Sequence, residues 1–167
     1  MVLTAQIICD ILKVCMGLAN DQIWIYNQRM PIPEDKRLYI VVGVISMKPY
    51  GNTNKVTAST TGMIQDLNQY VSETLSIDLF SYDTEAQERY AEILASLMSV
   101  YSQQVQEDLA LKIFPIPLNV NDVSMVEGAA IINRLSLSFT VLRKYNTVMG
   151  AQYYDRITPG YISLTDH

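Results

Sequence analysis

The sequence has little of what most catalytic and metal sites require. Its 167 residues contain one histidine, His167. A serine–histidine triad, a cysteine–histidine pair and a histidine-rich metal site therefore have no basis in this chain. The seven glycines form neither a GxGxxG nor a GxxxxGK[ST] pattern, so no phosphate-binding loop is predicted. We expect a protein that is not an enzyme and that uses no cofactor and no metal.

Cysteine and long apolar runs are also scarce. Cys9 and Cys15 lie six residues apart in an apolar-periodic segment, and on a helix that spacing points them about 120° apart. We interpret them as small packing residues of a helix in a reducing cytoplasm. Asp10 and Lys13 interrupt the apolar run, so no signal peptide is expected, and no stretch reaches the ~20 apolar residues of a membrane span.

Apolar residues are abundant, and the charge that is present is weakly acidic. The composition is 49% apolar and 17% charged, with a formal net charge of −5. One domain of this length can bury a substantial core. The acidic balance argues against a protein whose main task is to bind phosphate backbones.

The hydrophobic periodicity predicts an α+β fold. We expect an antiparallel or mixed sheet of four to five strands, two main helices packed on one face, and an extended polar hairpin or arm. Thr84 and Gln87 fit a capping box at the start of the main helix. Within that helix, Glu85 and Arg89 are predicted to form an i,i+4 pair, and a kink is predicted near Ser102. Residues 1–145 are predicted to form the domain and 146–167 a C-terminal extension or tail. The predicted helices span 3–18 and 86–105, and the predicted strands 23–26, 38–47, 63–82 and 131–145.

A polar stretch over 51–62 follows Pro49 and Gly51, which are expected to end a strand. The stretch has no periodic apolar face, and it is either a long hairpin tip or mobile arm, or only a disordered loop. If it is an arm, its residues are candidates for contacts with other subunits. The candidates in and beside it are Lys48, Tyr50, Asn52, Asn54, Lys55 and Thr57.

Two charged residues stand out in the predicted strands. Glu73 falls in the apolar register of its strand, where it could form a buried pair with Arg89 or Arg134, act as an inward edge charge, or contact another subunit. Arg134 is expected to be held by a carboxylate, with Glu73 and Glu127 as the candidates, on the solvent face of the last strand. We include Glu73, Glu127 and Arg134 among the candidate interface residues.

Tyrosine is over-represented, with 11 tyrosines against three phenylalanines and one tryptophan. Tyrosine combines an apolar face with a polar tip and is common at protein–protein interfaces. Tyr145, Tyr153 and Tyr154 are therefore candidate contacts between subunits. The alternative is that these side chains simply edge the sheet.

The order of elements resembles the tail terminator (neck terminator) family of long-tailed bacteriophages. The resemblance covers roughly residues 12–145. It rests on the strand LYIVVGVISMKPYGN, the strand-to-helix run QYVSETLSIDLFSYDTEAQERYAEIL, the FPIP turn and the strand EGAAIINRLSLSFTVLRKYN. In the last of these, Arg134 to Phe139 match an R-L-x-L-x-F run of that family.

The resemblance implies a structural virion protein, assembled in the host cytoplasm, that forms a ring, usually sixfold, at the head-proximal end of the tail. Such a ring ends polymerisation of the tail tube, and of the sheath where one exists. Its implied partners are its own copies, the tail tube protein, the sheath protein and the neck or connector protein, with DNA only passing through the lumen and no membrane. Two other classes stay open, namely another head–tail joining or tail tube protein, and a small acidic cytosolic chaperone or binding module.

Overall fold

The computed structural model describes residues 3–26, 35–59, 62–114, 119–127 and 130–151. Within these ranges the chain forms three helices and a mixed β-sheet. The helices are α1 (Thr4–Met16), α2 (Glu85–Leu97) and α3 (Val100–Asp108). The strands are β1 (Ile23–Ile25), β2 (Tyr39–Ser59), β3 (Gly62–Ser81), β4 (Leu111–Ile113), β5 (Asn119–Asp122), β6 (Met125–Glu127) and β7 (Ala130–Ala151).

Three long strands form the frame of the sheet. The strands β2, β3 and β7 have 21, 20 and 22 residues and pair antiparallel, β2 with β3 and β3 with β7. The short strand β1 adds in parallel to β2, and β4 adds to β7, which gives the order β1-β2-β3-β7-β4. This confirms the predicted α+β fold with a mixed sheet.

One face of the sheet packs against α1 and α2. The strand β3 presents Leu75, Ile77 and Leu79 to this face, all fully buried, as its period-two pattern predicts. Ile8 of α1 and Ile93 of α2 belong to the same apolar cluster. Burial of these side chains is the main source of stability for this half of the sheet.

Helix α1 lies inside its predicted range and ends at a glycine. Gly17 adopts the left-handed conformation with φ 65°, and its N–H donates to the carbonyl of Lys13. A glycine carries no penalty for this conformation, so it closes the helix where the sequence predicts a stop.

The main helix is two helices instead of one with a kink near Ser102. The break lies at Met98 and Ser99, before the predicted position. Ser99 is extended (φ −65°, ψ 159°), and its side chain accepts a hydrogen bond from the N–H of Ser102. Because a serine cap satisfies the free N–H groups of a new helix start, α3 begins as a separate helix.

The predicted contacts at the start of α2 are also wrong. Thr84 makes no side-chain cap hydrogen bond, and its backbone is already helical (φ −73°, ψ −7°). Arg89 pairs with Glu92 at 2.7 Å instead of with Glu85. The Glu85 carboxylate accepts a hydrogen bond from the N–H of Leu38 at 2.6 Å, so it joins the helix to the sheet.

Strand β2 does not end at Pro49 and Gly51 but continues to Ser59. Its register against β3 shifts between Val44 and Ser46 and again between Pro49 and Gly51. A β-bulge at each shift accommodates one extra residue, and β2 is an edge strand here, where proline is tolerated. The polar stretch over 51–62 is therefore mostly paired strand in a long hairpin, with residues 60–61 outside the described ranges.

The C-terminal part holds more strand than the sequence predicts. Two short strands for which the sequence analysis predicts no element, β5 and β6, both pair with β7. The last strand continues beyond Tyr145 to Ala151. None of the helices in the described part of the chain is both long enough and apolar enough to cross a bilayer.

Candidate subunit interface

The sheet continues well beyond the part that the helices cover. Among the described residues, the last buried residue of β2 is Gly43, the first buried residue of β3 is Val71, and the last buried residue of β7 is Arg143. We call the part beyond these points the extension; it comprises residues 44–59, 62–70 and 144–151. The extension is a three-stranded sheet that is paired along its length and contains both bulges of β2.

The extension exposes many large apolar side chains. Ile45 and Tyr50 are the extra residues at the two bulges, and they are 61% and 56% exposed. The strand register divides the apolar side chains of the extension between the two faces of the sheet. Where exposed apolar side chains form a contiguous patch, the patch commonly marks a protein–protein contact. The complete exposed set on the extension is Val44, Ile45, Met47, Tyr50, Val56, Ile64, Val148 and Met149.

Strand register places four lysines on the face of the sheet opposite the helices. Even-numbered residues of β3 alternate with the buried side chains and point away from the helices. Directly paired residues share a face. The pairs are Lys48 with Ser72, Lys55 with Asp66, Lys144 with Tyr70, and Lys112 with Leu142, which itself pairs with Ser72.

All four lysines are exposed. The ring of Tyr50 lies 6.0 Å from that of Tyr70, so it joins them on this face. Val148 pairs with Asp66 and lies there too. We define the basic sheet face as Lys48, Lys55, Lys112, Lys144, Tyr50, Tyr70 and Val148.

The hairpin residues that the sequence singles out are divided between the two faces. Lys48, Lys55 and Tyr50 belong to the basic sheet face, and Thr57 lies on the same side because it pairs with Ile64. The predicted candidates on the helix side of the sheet are Asn52 and Asn54, which pair with Gln69 and Leu67.

Glu73 sits at the boundary between the helix-covered half and the extension. Its side chain is 0% exposed, and its Oε1 accepts a hydrogen bond from the hydroxyl of Tyr145 at 2.5 Å. Its Oε2 is buried with no hydrogen-bond partner among the described residues. Burial, and next the hydrogen bond to the Glu73 carboxylate, raise the pKa of Tyr145.

Arg143 lies beside this pair and connects it to α1. Its Nη1 donates to Oγ1 of Thr4 at 2.9 Å, and its guanidinium lies 4.9 Å from the centre of the Tyr145 ring. The group therefore links α1, β3 and β7 at the base of the extension.

Arg134 is held by a carboxylate, that of Asp78, which was not among the predicted partners. Its Nη2 lies 3.4 Å from Oδ1 of Asp78, and its guanidinium lies 5.0 Å from the centre of the Phe80 ring. Glu73 points to the opposite face of the sheet, so the proposed pair with Arg134 is wrong. Glu127 belongs to β6, but its side chain lies outside the described residues.

The other ion pair considered for Glu73, with Arg89, is not formed either. Arg89 is engaged by Glu92, and it also donates to the carbonyl of Met16 at 3.3 Å. The predicted Glu73–Arg89 pair is therefore wrong as well.

Tyr153 and Tyr154 lie outside the described residues, and their role stays a prediction.

Sequence reasoning overlooked a second charged surface, on α2 and α3. Across Glu85–Leu97 and Val100–Asp108 there are five acidic residues and one basic residue, Arg89. That imbalance was visible in the sequence. We define the acidic helix surface as the exposed residues Glu88, Glu92, Met98, Val100, Tyr101, Glu107 and Asp108.

A groove of about 420 Å³ adjoins this surface. It runs between α1 and α2 and is lined by Cys15, Met16, Glu92, Ala95, Ser96 and Ser99.

The described residues contain no group of three or more histidine, cysteine or acidic side chains arranged to hold a metal ion. Burial raises the pKa of the Cys9 thiol to about 12, as expected for a packing residue. Cys15 is exposed, so the same interpretation is wrong for it.

No protein-family model matches the chain, and no curated protein matches it significantly.

Proposed function

We propose that this protein is a structural subunit of a long-tailed bacteriophage, a tail terminator that assembles with its own copies into a sixfold ring. The ring ends polymerisation of the tail tube, and of the sheath where there is one, and offers its other side to the neck. It assembles in the host cytoplasm and becomes part of the virion. The element order that resembles the tail terminator family supports this proposal, together with the α+β fold.

The extension is the observation that carries the proposal. Its outer β2 edge has no strand partner in the described residues beyond Gly43, and its β7 edge has none beyond Lys144. Natural proteins usually protect open strand edges, because unpaired N–H and C=O groups pair with other chains. Open edges together with exposed apolar side chains are typical of a subunit that is completed by its neighbours.

The overall charge is consistent with a channel for DNA. A lining that binds phosphates would retain DNA, whereas a chain with a net charge of −5 favours passage. The lysines that could act against this are concentrated on one face of the sheet.

The direct test is the mass and shape of the purified protein. Light scattering coupled to size exclusion and negative-stain microscopy should show closed rings, alone or after addition of tail tube. A strict monomer under both conditions contradicts the proposal. Open filaments would contradict it in favour of a tube subunit. A phage that lacks this gene should make tails of uncontrolled length.

A shortened hairpin tests whether the extension forms the ring contact. Asn52 and Gln69 are directly opposite, so residues 53–68 can be replaced by an Asn-Gly turn without changing the register below them. The variant should keep a cooperative thermal transition because the helix-covered core is unchanged, but it should no longer form rings. Rings of normal size would show that the outer part of the hairpin, residues 53–68, is not needed for the contact.

A further inference from the structure

We infer that the basic sheet face of one subunit docks on the acidic helix surface of the next copy, a head-to-tail contact that rests on the proposed assembly into a ring. Neither surface has a partner within the described part of the chain. The two surfaces are opposite in charge, and both carry exposed apolar side chains.

The charge on the sheet face is distinctly asymmetric. Four of the six lysines of the chain lie on it. Acidic side chains there are Asp66, opposite Lys55, and Asp78, which is paired with Arg134. Lysine therefore dominates this face of a chain that is acidic overall.

The helix surface has the opposite character. Glu107 and Asp108 are exposed at the end of α3, and Glu88 is exposed on α2. Arg89 offsets only Glu92, to which it is bonded. Complementary potentials of this kind steer association and fix which surfaces meet.

The two surfaces lie mainly on opposite sides of the sheet, and they adjoin where α3 leads into β4, between Asp108 and Lys112. The helices pack on one face of the sheet, and the lysines project from the other. Like charges also disfavour a two-fold contact of either surface with itself. A contact between different surfaces is heterologous, and repetition of a heterologous contact gives a ring when the rotation closes.

Both surfaces have the composition of an interface, with aromatic and apolar groups among the charges. Tyr50, Tyr70 and Val148 lie among the lysines. Met98 and Val100 lie among the acids, and Val100 is 69% exposed on a helix that buries few side chains. The groove beside Glu92 offers space for the apolar stem of a lysine.

A nucleic acid is the other partner that a lysine-bearing face could bind. A second copy is favoured because the acidic counterpart is part of the same chain. Arg134, which could otherwise contact phosphates, is already engaged by Asp78. DNA binding is therefore an outcome of the test that would overturn the inference.

The test is a charge swap between two full-length variants. The sheet variant carries Lys48→Glu, Lys112→Glu and Lys144→Glu. The helix variant carries Glu92→Lys, Glu107→Lys and Asp108→Lys, two of them at a helix C-terminus where positive charge is favoured. In each variant alone the two surfaces carry the same sign, so the concentration for half-assembly should rise about tenfold or more. Mixed in equal amounts, the variants should assemble again.

Controls separate this inference from the proposed ring. Lys36→Glu reverses an exposed lysine outside both surfaces and should assemble like the wild type; thermal unfolding and circular dichroism establish that every variant is folded. If both variants assemble normally, the docking inference is overturned and the proposed ring is not. The same holds if the mixed variants fail to assemble. A monomeric wild type would overturn both. If the wild type binds double-stranded DNA and the sheet variant loses this binding but still assembles, the lysines bind nucleic acid instead of a second copy.

Discussion

The helix-covered half of the sheet and the extension are built from the same three strands but bury different amounts of side chain. In the covered half, alternate residues of β3 and β7 pack against α1 and α2, and the chain itself supplies every layer of the core. In the extension the strands still pair along their length, yet none of the described side chains is buried. Strand pairing without burial means that the apolar side chains of the extension have no packing layer within the described part of the chain.

The largest expected effect compares two isoleucines, one from each region. Ile77 is 0% exposed in the covered half, and Ile45 is an exposed bulge residue of the extension. Ile77→Ala should lower the free energy of unfolding by about 2–5 kcal/mol, because it leaves a cavity. Ile45→Ala should change it by no more than about 0.5 kcal/mol. Urea denaturation of the monomer measures both, and equal losses would show that the extension has a core of its own.

The second effect lies at the boundary between the two regions. Tyr145→Phe removes the hydrogen bond to buried Glu73 and should cost about 1–3 kcal/mol, since the carboxylate loses its partner. Glu73→Gln keeps an acceptor at the same place and should cost less. If the two variants unfold like the wild type, this cluster does not join the extension to the core.

The pH dependence of the same site has a definite sign. The pKa of Tyr145 is raised above its ordinary value of 10.0, so folding favours the neutral phenol. Its contribution to stability is full below pH 10 and is lost as the pH rises through the higher folded pKa. The free energy of unfolding should therefore fall less steeply above pH 10 in Tyr145→Phe than in the wild type. Identical slopes would contradict the assignment.

The smallest effect concerns the open face of the covered half. Arg134→Ala removes the contact with Asp78, and it should lower the free energy of unfolding by about 1 kcal/mol because the pair is partly exposed. A double-mutant cycle with Asp78→Asn isolates the coupling. A coupling near zero would mean that Arg134 is held mainly by its contact with the Phe80 ring.

The sequence predicted the parts of the fold that depend on local periodicity. Helix α1 and the buried alternation of β3 follow directly from apolar spacing. The bulges at Ile45 and Tyr50 could not be predicted, because a bulge is set by the pairing of two strands and Pro49 and Gly51 are typical turn residues. Ser99, by contrast, is a recognisable helix cap, so the break between α2 and α3 was accessible in principle.

The candidate interface was harder to predict because it depends on register. Glu73 and Arg134 looked like partners as long as the pairing of β3 with β7 was unknown, and a register assignment places them on opposite faces. The same information is needed to see that Lys112 and Lys144 join Lys48 on one face. The unusual position of Glu73 in an apolar register was correctly predicted, and its partner Tyr145 was named separately.

The central claim is that this chain works as a ring of its own copies. Native mass spectrometry of the purified protein, alone and with tail tube, tests it most directly because it counts subunits. A closed assembly of six copies is the predicted result. A single copy under both conditions would contradict the account.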